Sequence, residues 1–291
     1  MSHLLQSTDT QKYTKSISDT KHTQVANLQN HIQEILSGSH HTFLQGSYKN
    51  TTSISEINDI DIVAVKINTF STVHSPVRLV NPTPFPWSDI FSEIEQKLRN
   101  QKLYSWTITR KDKCITVETT NFKADIVPAV QIHEDIFNDP IAIFSHKAGI
   151  ERLSYPNTHW ENGKKKHANT NQNYKPMVRM FKNWNKNYFP TNEVISSHKI
   201  ESLVYNCPDA DFMEDHFISF ILIGSRIIEI LGLPDPVLSV CKNEDIKTNW
   251  DITKRQVFTN GLEEALQHAL TAHGATNTLD AKTHWDKTFK A

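Results

Sequence analysis

Leu44-Gln45-Gly46-Ser47-Tyr48-Lys49-Asn50-Thr51, followed after a short spacer by Asp59-Ile60-Asp61-Ile62-Val63, holds the most specific pattern in the chain. In a strand the side chains repeat every second residue, so Asp59 and Asp61 share a face with their Cβ atoms roughly 6–7 Å apart. Two carboxylates that close repel, and the arrangement makes best sense with a divalent cation between them. An isolated D-x-D is commonly no more than a solvated strand edge. Gly46-Ser47 just upstream changes the reading, because a glycine lets backbone approach a phosphate while a hydroxyl and backbone N–H groups bond its oxygens. A third carboxylate, Asp125, stands in the apolar segment Ala124-Asp125-Ile126-Val127. An aspartate among β-branched residues is costly unless it is paired or bound to metal.

Working outward, β-branched and aromatic residues predict strands at Thr42 to Leu44, Ile60 to Ile67, Cys114 to Glu118 and Ala124 to Val130. Val25, Leu28, Ile32, Ile35 and Leu36 recur at helical spacing before Gly38, which suits a left-handed C-terminal cap. Pro76, Pro82, Pro84 and Pro86 predict a long surface loop from Asn68 to Trp87, after which Ser88 caps a helix through Ile90, Phe91, Ile94 and Leu98. From about residue 155 helical periods dominate, with polar Glu161 to Asn173 as a hinge and Lys164-Lys165-Lys166-His167 as a solvated loop. Lys175, Arg179, Lys182 and Lys186 share one helix face, and Met177, Phe181, Trp184 and Tyr188 form an apolar stripe beside it. The default for the first stripe is a solvated face, and for the second the core.

The chain has 291 residues, 37% of them hydrophobic and 22% charged, as in a globular protein with a sizeable core. A formal net charge of -1 provides no global basic field for nucleic acid. Cys114, Cys207 and Cys241 lie far apart with neither zinc spacing nor an even count, which points to a reducing, cytoplasmic setting. The first residues carry no export signal, and Phe217 to Leu233 is broken by Ser219, Arg226 and Glu229, so a buried helix is expected and a membrane role is not. The 15 histidines show no metal-ligand spacing.

The pattern G-S-x-x-x-[ST], D-x-D and a later lone D resembles the polymerase-beta nucleotidyltransferase superfamily. More narrowly, Phe43–Thr51 (FLQGSYKNT), Val117–Thr120 (VETT), Ala124–Val127 (ADIV), Trp160–Gly163 (WENG), Tyr174–Pro176 (YKP), Arg179–Asn183 (RMFKN) and Glu201–Asn206 (ESLVYN) look like the bacterial cGAS/DncV-like nucleotidyltransferases, particularly the E clade that makes cyclic dinucleotides. The match runs from about Phe43 to about Phe212. It implies an α+β fold, with an N-terminal helix and mixed-sheet catalytic lobe over residues 1–155 and a helical lobe over 156–291.

The same resemblance implies two Mg²⁺ ions, for which Mn²⁺ can substitute, held by Asp59, Asp61 and Asp125. One ion would activate an attacking 3′-hydroxyl and the other neutralise the leaving pyrophosphate, with Asp125 the candidate proton acceptor. Gln45, Gly46 and Ser47 would contact the nucleoside triphosphate, Lys182 its phosphates, and Ser197 or Ser196 a further phosphate. Ser154 looks like the base-reading wall, where a short serine leaves room for a two-ring base and leans towards purines, adenine above guanine. The alternative is that its hydroxyl only bonds backbone at the turn before Pro156. The implied function is template-independent synthesis of a cyclic dinucleotide from two nucleoside triphosphates in antiphage (CBASS) signalling, the product being read by a separate effector. The Cys/His insertion that animal relatives use to sense DNA is absent, so no DNA activator is expected. Transfer to an RNA end, protein or small molecule on the same scaffold is one alternative, and an inactive nucleotide sensor is another.

Overall fold

The computed structural model describes residues 3–54, 59–76, 85–101, 105–120, 122–190 and 194–290, with the Asp59 side chain outside the description. In chain order the main elements are α1 (Ser7–Thr14), α2 (Asp19–Leu36), β1 (His40–Gln45), α3 (Gly46–Lys49), β2 (Asp59–Phe70), α4 (Trp87–Asn100), β3 (Thr107–Arg110), β4 (Ile115–Glu118), β5 (Lys123–Gln131), β6 (Ile141–Ser145) and β7 (Ile150–Ser154). The helices α5 (Pro156–Asn169), α6 (Tyr174–Tyr188), α7 (Ser197–Asn206), α8 (His216–Gly232), α9 (Ile252–Gly274) and α10 (Thr278–Thr288) follow.

The elements fall into two units, residues 17–50 with 56–160 and residues 1–16 with 51–55 and 161–291. The division therefore differs from a single cut after residue 155. The first sixteen residues group with the helices, because Tyr13 is buried in their core and stacks on Phe289 with ring centroids 3.6 Å apart.

In the sheet unit the strands run β1-β2-β5-β4-β3, and β6 joins β5 to β7. Among the described residues only β2 and β5 pair in parallel and the other strand pairs are antiparallel, which makes the sheet mixed. One face is covered by α2 and α4, whose Val25, Leu28, Ile32, Leu36, Ile90, Phe91, Ile94 and Leu98 form a single buried cluster with Ile60, Ile62, Ile115, Val117 and Ile126. This is the apolar stripe that the sequence periodicity predicted, and Gly38 just beyond α2 has φ +78°.

Several local expectations change. β2 continues to Phe70, so the proline-rich loop begins later, and Pro82 and Pro84 lie outside the described residues. Helix α4 starts at Trp87 with Pro86 as its N-cap, not Ser88, whose hydroxyl instead sits beside Asp89. The hinge expected over 161–173 is mostly helix: α5 opens with Pro156, a residue pre-set for a first helical position, and Asp139 accepts from the Thr158 N–H at 2.5 Å. Lys166 on that helix donates to the Cys207 carbonyl at 2.6 Å and to Asp209 at 2.5 Å, so part of the lysine run is tied down.

The helical unit packs α6 through α10 around Tyr174, Phe181, Trp184, Phe217, Phe220, Phe258 and Trp285. The apolar stripe Met177, Phe181, Trp184 and Tyr188 is core, as expected. Among the described residues no helix is long and apolar enough to cross a membrane.

Candidate active site

The sheet brings four sequence positions into one row. Gln45 on β1 pairs with Asp61 on β2, Asp61 with Asp125 on β5, and Asp125 with Thr116 on β4. Residues directly opposite across a ladder project to the same face. Two carboxylates on neighbouring central strands are thus set side by side. Asp59 lies two positions before Asp61, with Lys123 as its register partner.

Chain direction at the end of β1 then shapes the approach to Asp61. Gly46 begins α3 with φ +69°, a conformation that favours glycine, and a Cβ built there would fall 2.3 Å from Asp61 Oδ2. The backbone is pressed against the carboxylate, and a side chain would fill that space. Gln45 is half-buried and makes no side-chain hydrogen bond among the described residues. Ser47 follows in the first turn of α3 and is also half-buried.

Asp125 is held from the other side. The Thr116 hydroxyl donates to Asp125 Oδ1 at 2.5 Å, and Lys111 Nζ stands 3.6 Å from the same oxygen. The Cys114 thiol nearby is pushed up to about 11, first by burial and then by the Asp125 charge, so it is neutral and adds no second anion. No three His, Cys, Asp or Glu side chains converge as a metal cluster among the described residues, a set that excludes the Asp59 side chain.

Ser154 closes β7 opposite Ile141 of β6, away from the four-residue row and on the other arm of the sheet. Its half-buried hydroxyl makes no hydrogen bond among the described residues, so the backbone-bonding alternative is not what occupies it.

Lys182 differs from the expectation of an open phosphate-binding cation. The residue is 3% exposed. Its ammonium donates to Glu201 Oε2, to the Thr52 carbonyl and to Thr52 Oγ1, each at 3.2 Å, while Thr52 Oγ1 donates to the same Glu201 oxygen at 3.0 Å. The charge is committed within the helical unit, because a lysine enclosed this far needs a carboxylate partner. Arg179, one turn earlier, is likewise enclosed and donates to the carbonyls of Thr14 and Thr51, each at 2.6 Å. Burial pulls its guanidinium down to about 10. The basic stripe is therefore not the solvated face that its spacing suggested; Lys186 alone of the four is exposed.

Ser196, not Ser197, caps α7, its Oγ accepting from the Lys199 N–H at 3.4 Å. Ser197 is the exposed first helical residue and its hydroxyl bonds nothing among the described residues. Thr116, Lys111 and Thr52 were not singled out from the sequence, and Glu201 entered there only as the first residue of the ESLVYN motif. Of the first three, Thr116 alone left a signal, as a hydroxyl between two apolar residues on a strand.

Two family profiles match. One, described as the Second Messenger Oligonucleotide or Dinucleotide Synthetase domain, covers residues 1–146, and the other, the cGAS/DncV-like nucleotidyltransferase C-terminal helical domain, covers 161–229. The cyclic UMP-AMP synthase of Rhodothermus marinus is 31% identical over 203 residues, 63% of this chain and 70% of its own. A cyclic dipurine nucleotide synthase of Elizabethkingia meningoseptica is 27% identical over 254 residues, 78% of this chain and 80% of its own. The solved structure of the R. marinus CdnE c-UMP-AMP synthase with Apcpp and Upnpp has the same fold, at TM-score 0.74 and 22% identity over 90% of this chain and 97% of that one. With its sheet, its paired carboxylates and these matches, the chain belongs to the cGAS/DncV-like nucleotidyltransferases of the CdnE type, on the polymerase-beta-like α+β fold, and is an enzyme of the cyclic nucleotide synthase family.

Proposed function

We propose that the chain joins two nucleoside triphosphates, without a template, into a purine cyclic dinucleotide, adenine foremost, releasing two pyrophosphates. The observation that carries the reading is the placement of Asp61 directly beside Asp125, with the Gly46 backbone closed against Asp61. Opposed carboxylates on central strands ask for a cation, and hard oxygen donors suit Mg²⁺. Asp59, Asp61 and Asp125 would hold two such ions, with Mn²⁺ able to substitute. Bound there, the metals supply neutralisation of phosphate charge and a more acidic attacking 3′-hydroxyl.

The protein's own part is positioning. Gly46 and Ser47 offer backbone N–H groups and a hydroxyl to the phosphates, and Gln45 lies in the row with Asp61. Asp125 accepts the hydroxyl proton, with Thr116 keeping its carboxylate in place. Ser154, with an uncommitted hydroxyl and little bulk, reads the edge of a two-ring base. Ser197 is an open hydroxyl for a phosphate, whereas Lys182 acts through its bond network with Glu201 and Thr52.

Relatives named as cyclic nucleotide synthases support a cyclic product over transfer to an RNA end, a protein or a small molecule, and their names span dipurine and uridine-containing products. We infer a second messenger for antiphage signalling, read by a separate effector. Incubation with all four nucleoside triphosphates and Mg²⁺, followed by mass spectrometry, tests the reading. A cyclic purine dinucleotide is expected, lost in Asp59→Asn, Asp61→Asn and Asp125→Asn, and shifted towards uridine in Ser154→Asn. A uridine-rich wild-type product overturns the base assignment, and linear products or full turnover by Asp61→Asn overturn the chemistry.

A further inference from the structure

We propose that Lys111 is a built-in counter-cation that competes with the divalent metal for Asp125, so that the nucleotide-free enzyme binds metal more weakly than its carboxylates alone would allow. The inference rests on the metal reading above. Lys111 is the one cation paired with Asp125 among the described residues, 3.6 Å from Oδ1. It stands at the start of the β3–β4 turn, where its N–H donates to the Cys114 carbonyl at 2.8 Å. The next residue pins that turn: the Asp112 carboxylate accepts from the Ser145 hydroxyl at 3.0 Å and from the Lys147 N–H at 2.6 Å. The backbone that delivers the ammonium is therefore fixed, while the side chain itself is 40% exposed and free to swing away.

Thr116, fully buried, donates to the same Oδ1. A neutral hydroxyl orients the carboxylate without cancelling its charge, whereas an ammonium cancels it. Lysine suits a reversible role of this kind, being a strongly hydrated point charge on a flexible stem, with no fork to lock it to the carboxylate. A half-exposed pair is weak, so the competition is a modest one that a divalent ion wins.

The test is Mn²⁺ binding to the full, nucleotide-free chain, followed by the electron paramagnetic resonance signal of free Mn²⁺. Lys111→Met is expected to tighten binding roughly two- to fivefold, and the gain should shrink as salt screens the pair. Lys111→Arg, which keeps the charge and adds the fork, should bind Mn²⁺ no more tightly than the wild type. Lys113→Met removes a charge from the same turn, where Lys113 faces Asp112, and should change little. Asp125→Asn should weaken binding and abolish the effect of Lys111→Met. Unchanged or weaker binding by Lys111→Met, or an equal gain in Lys113→Met, overturns the competition while leaving the metal reading standing. Binding that is indifferent to Asp125 overturns both.

Discussion

Gly46 answers two demands at once, a left-handed backbone and an absent Cβ, and the second is set by Asp61, which is fifteen positions away in sequence and adjacent in space. Gly46→Ala would strain φ and push a methyl into the space of Asp61 Oδ2. The carboxylate is the flexible end of a side chain, so it yields before the backbone does, and the loss falls on geometry at the site. We expect the variant to lose about 1–2 kcal/mol of unfolding free energy and kcat by roughly 10- to 100-fold, with KM for nucleoside triphosphate changing less. Steady-state kinetics beside urea unfolding check this, and a variant with wild-type kcat would show that the close approach has no part in the reaction. The strands that carry Asp61 and Asp125 were legible in the sequence, because β-branched residues flank each carboxylate. That Gly46 abuts Asp61 was not, since it follows from how β1 pairs with β2.

On α6 the limits of periodicity are physical. Spacing gives the angle of a side chain around a helix but not what covers that angle, and Lys182 is covered by Glu201 of α7 and by Thr52, which is 130 positions away in sequence. Strand and core assignments succeeded where a two- or four-residue repeat decides burial, as in α2, α4 and β5. They failed over 161–173, where polar composition suggested a break, yet Lys166 and Asn162 satisfy carbonyls of other segments and α5 persists. The buried Lys182–Glu201 pair yields a direct prediction. Removing one charge leaves the other enclosed, so Lys182→Met or Glu201→Gln alone should cost about 3–5 kcal/mol in the case of the methionine and less for the amide, which keeps a hydrogen bond to Thr52. The double variant should cost less than the sum of the two. A double-mutant cycle in urea measures the coupling, and strictly additive losses would show that the two charges do not support each other.

Each unit is assembled from pieces distant in sequence, and this makes the folding of the chain non-local. The helical core includes Leu5 and Tyr13. Trp285 donates to the Asp9 carbonyl at 3.1 Å, Asn183 to that of Tyr13 at 2.7 Å, and Arg179 to that of Thr14 at 2.6 Å. A fragment of residues 156–291 would carry every long helix of that unit and still lack the aromatic ring against Phe289 and the carbonyls that satisfy Arg179, Asn183 and Trp285. Buried donors without partners and a cavity the size of a tyrosine each cost several kcal/mol, comparable with the stability of a typical domain. The fragment is therefore expected to keep helical circular dichroism but to unfold without cooperativity and to bind a hydrophobic dye, as a molten state does. A peptide of residues 1–16 added in trans should restore part of the cooperative transition, and Tyr13→Ala in the peptide should remove most of that rescue. Sharp, dye-free unfolding of the fragment alone would mean that the first sixteen residues decorate the helical core rather than complete it.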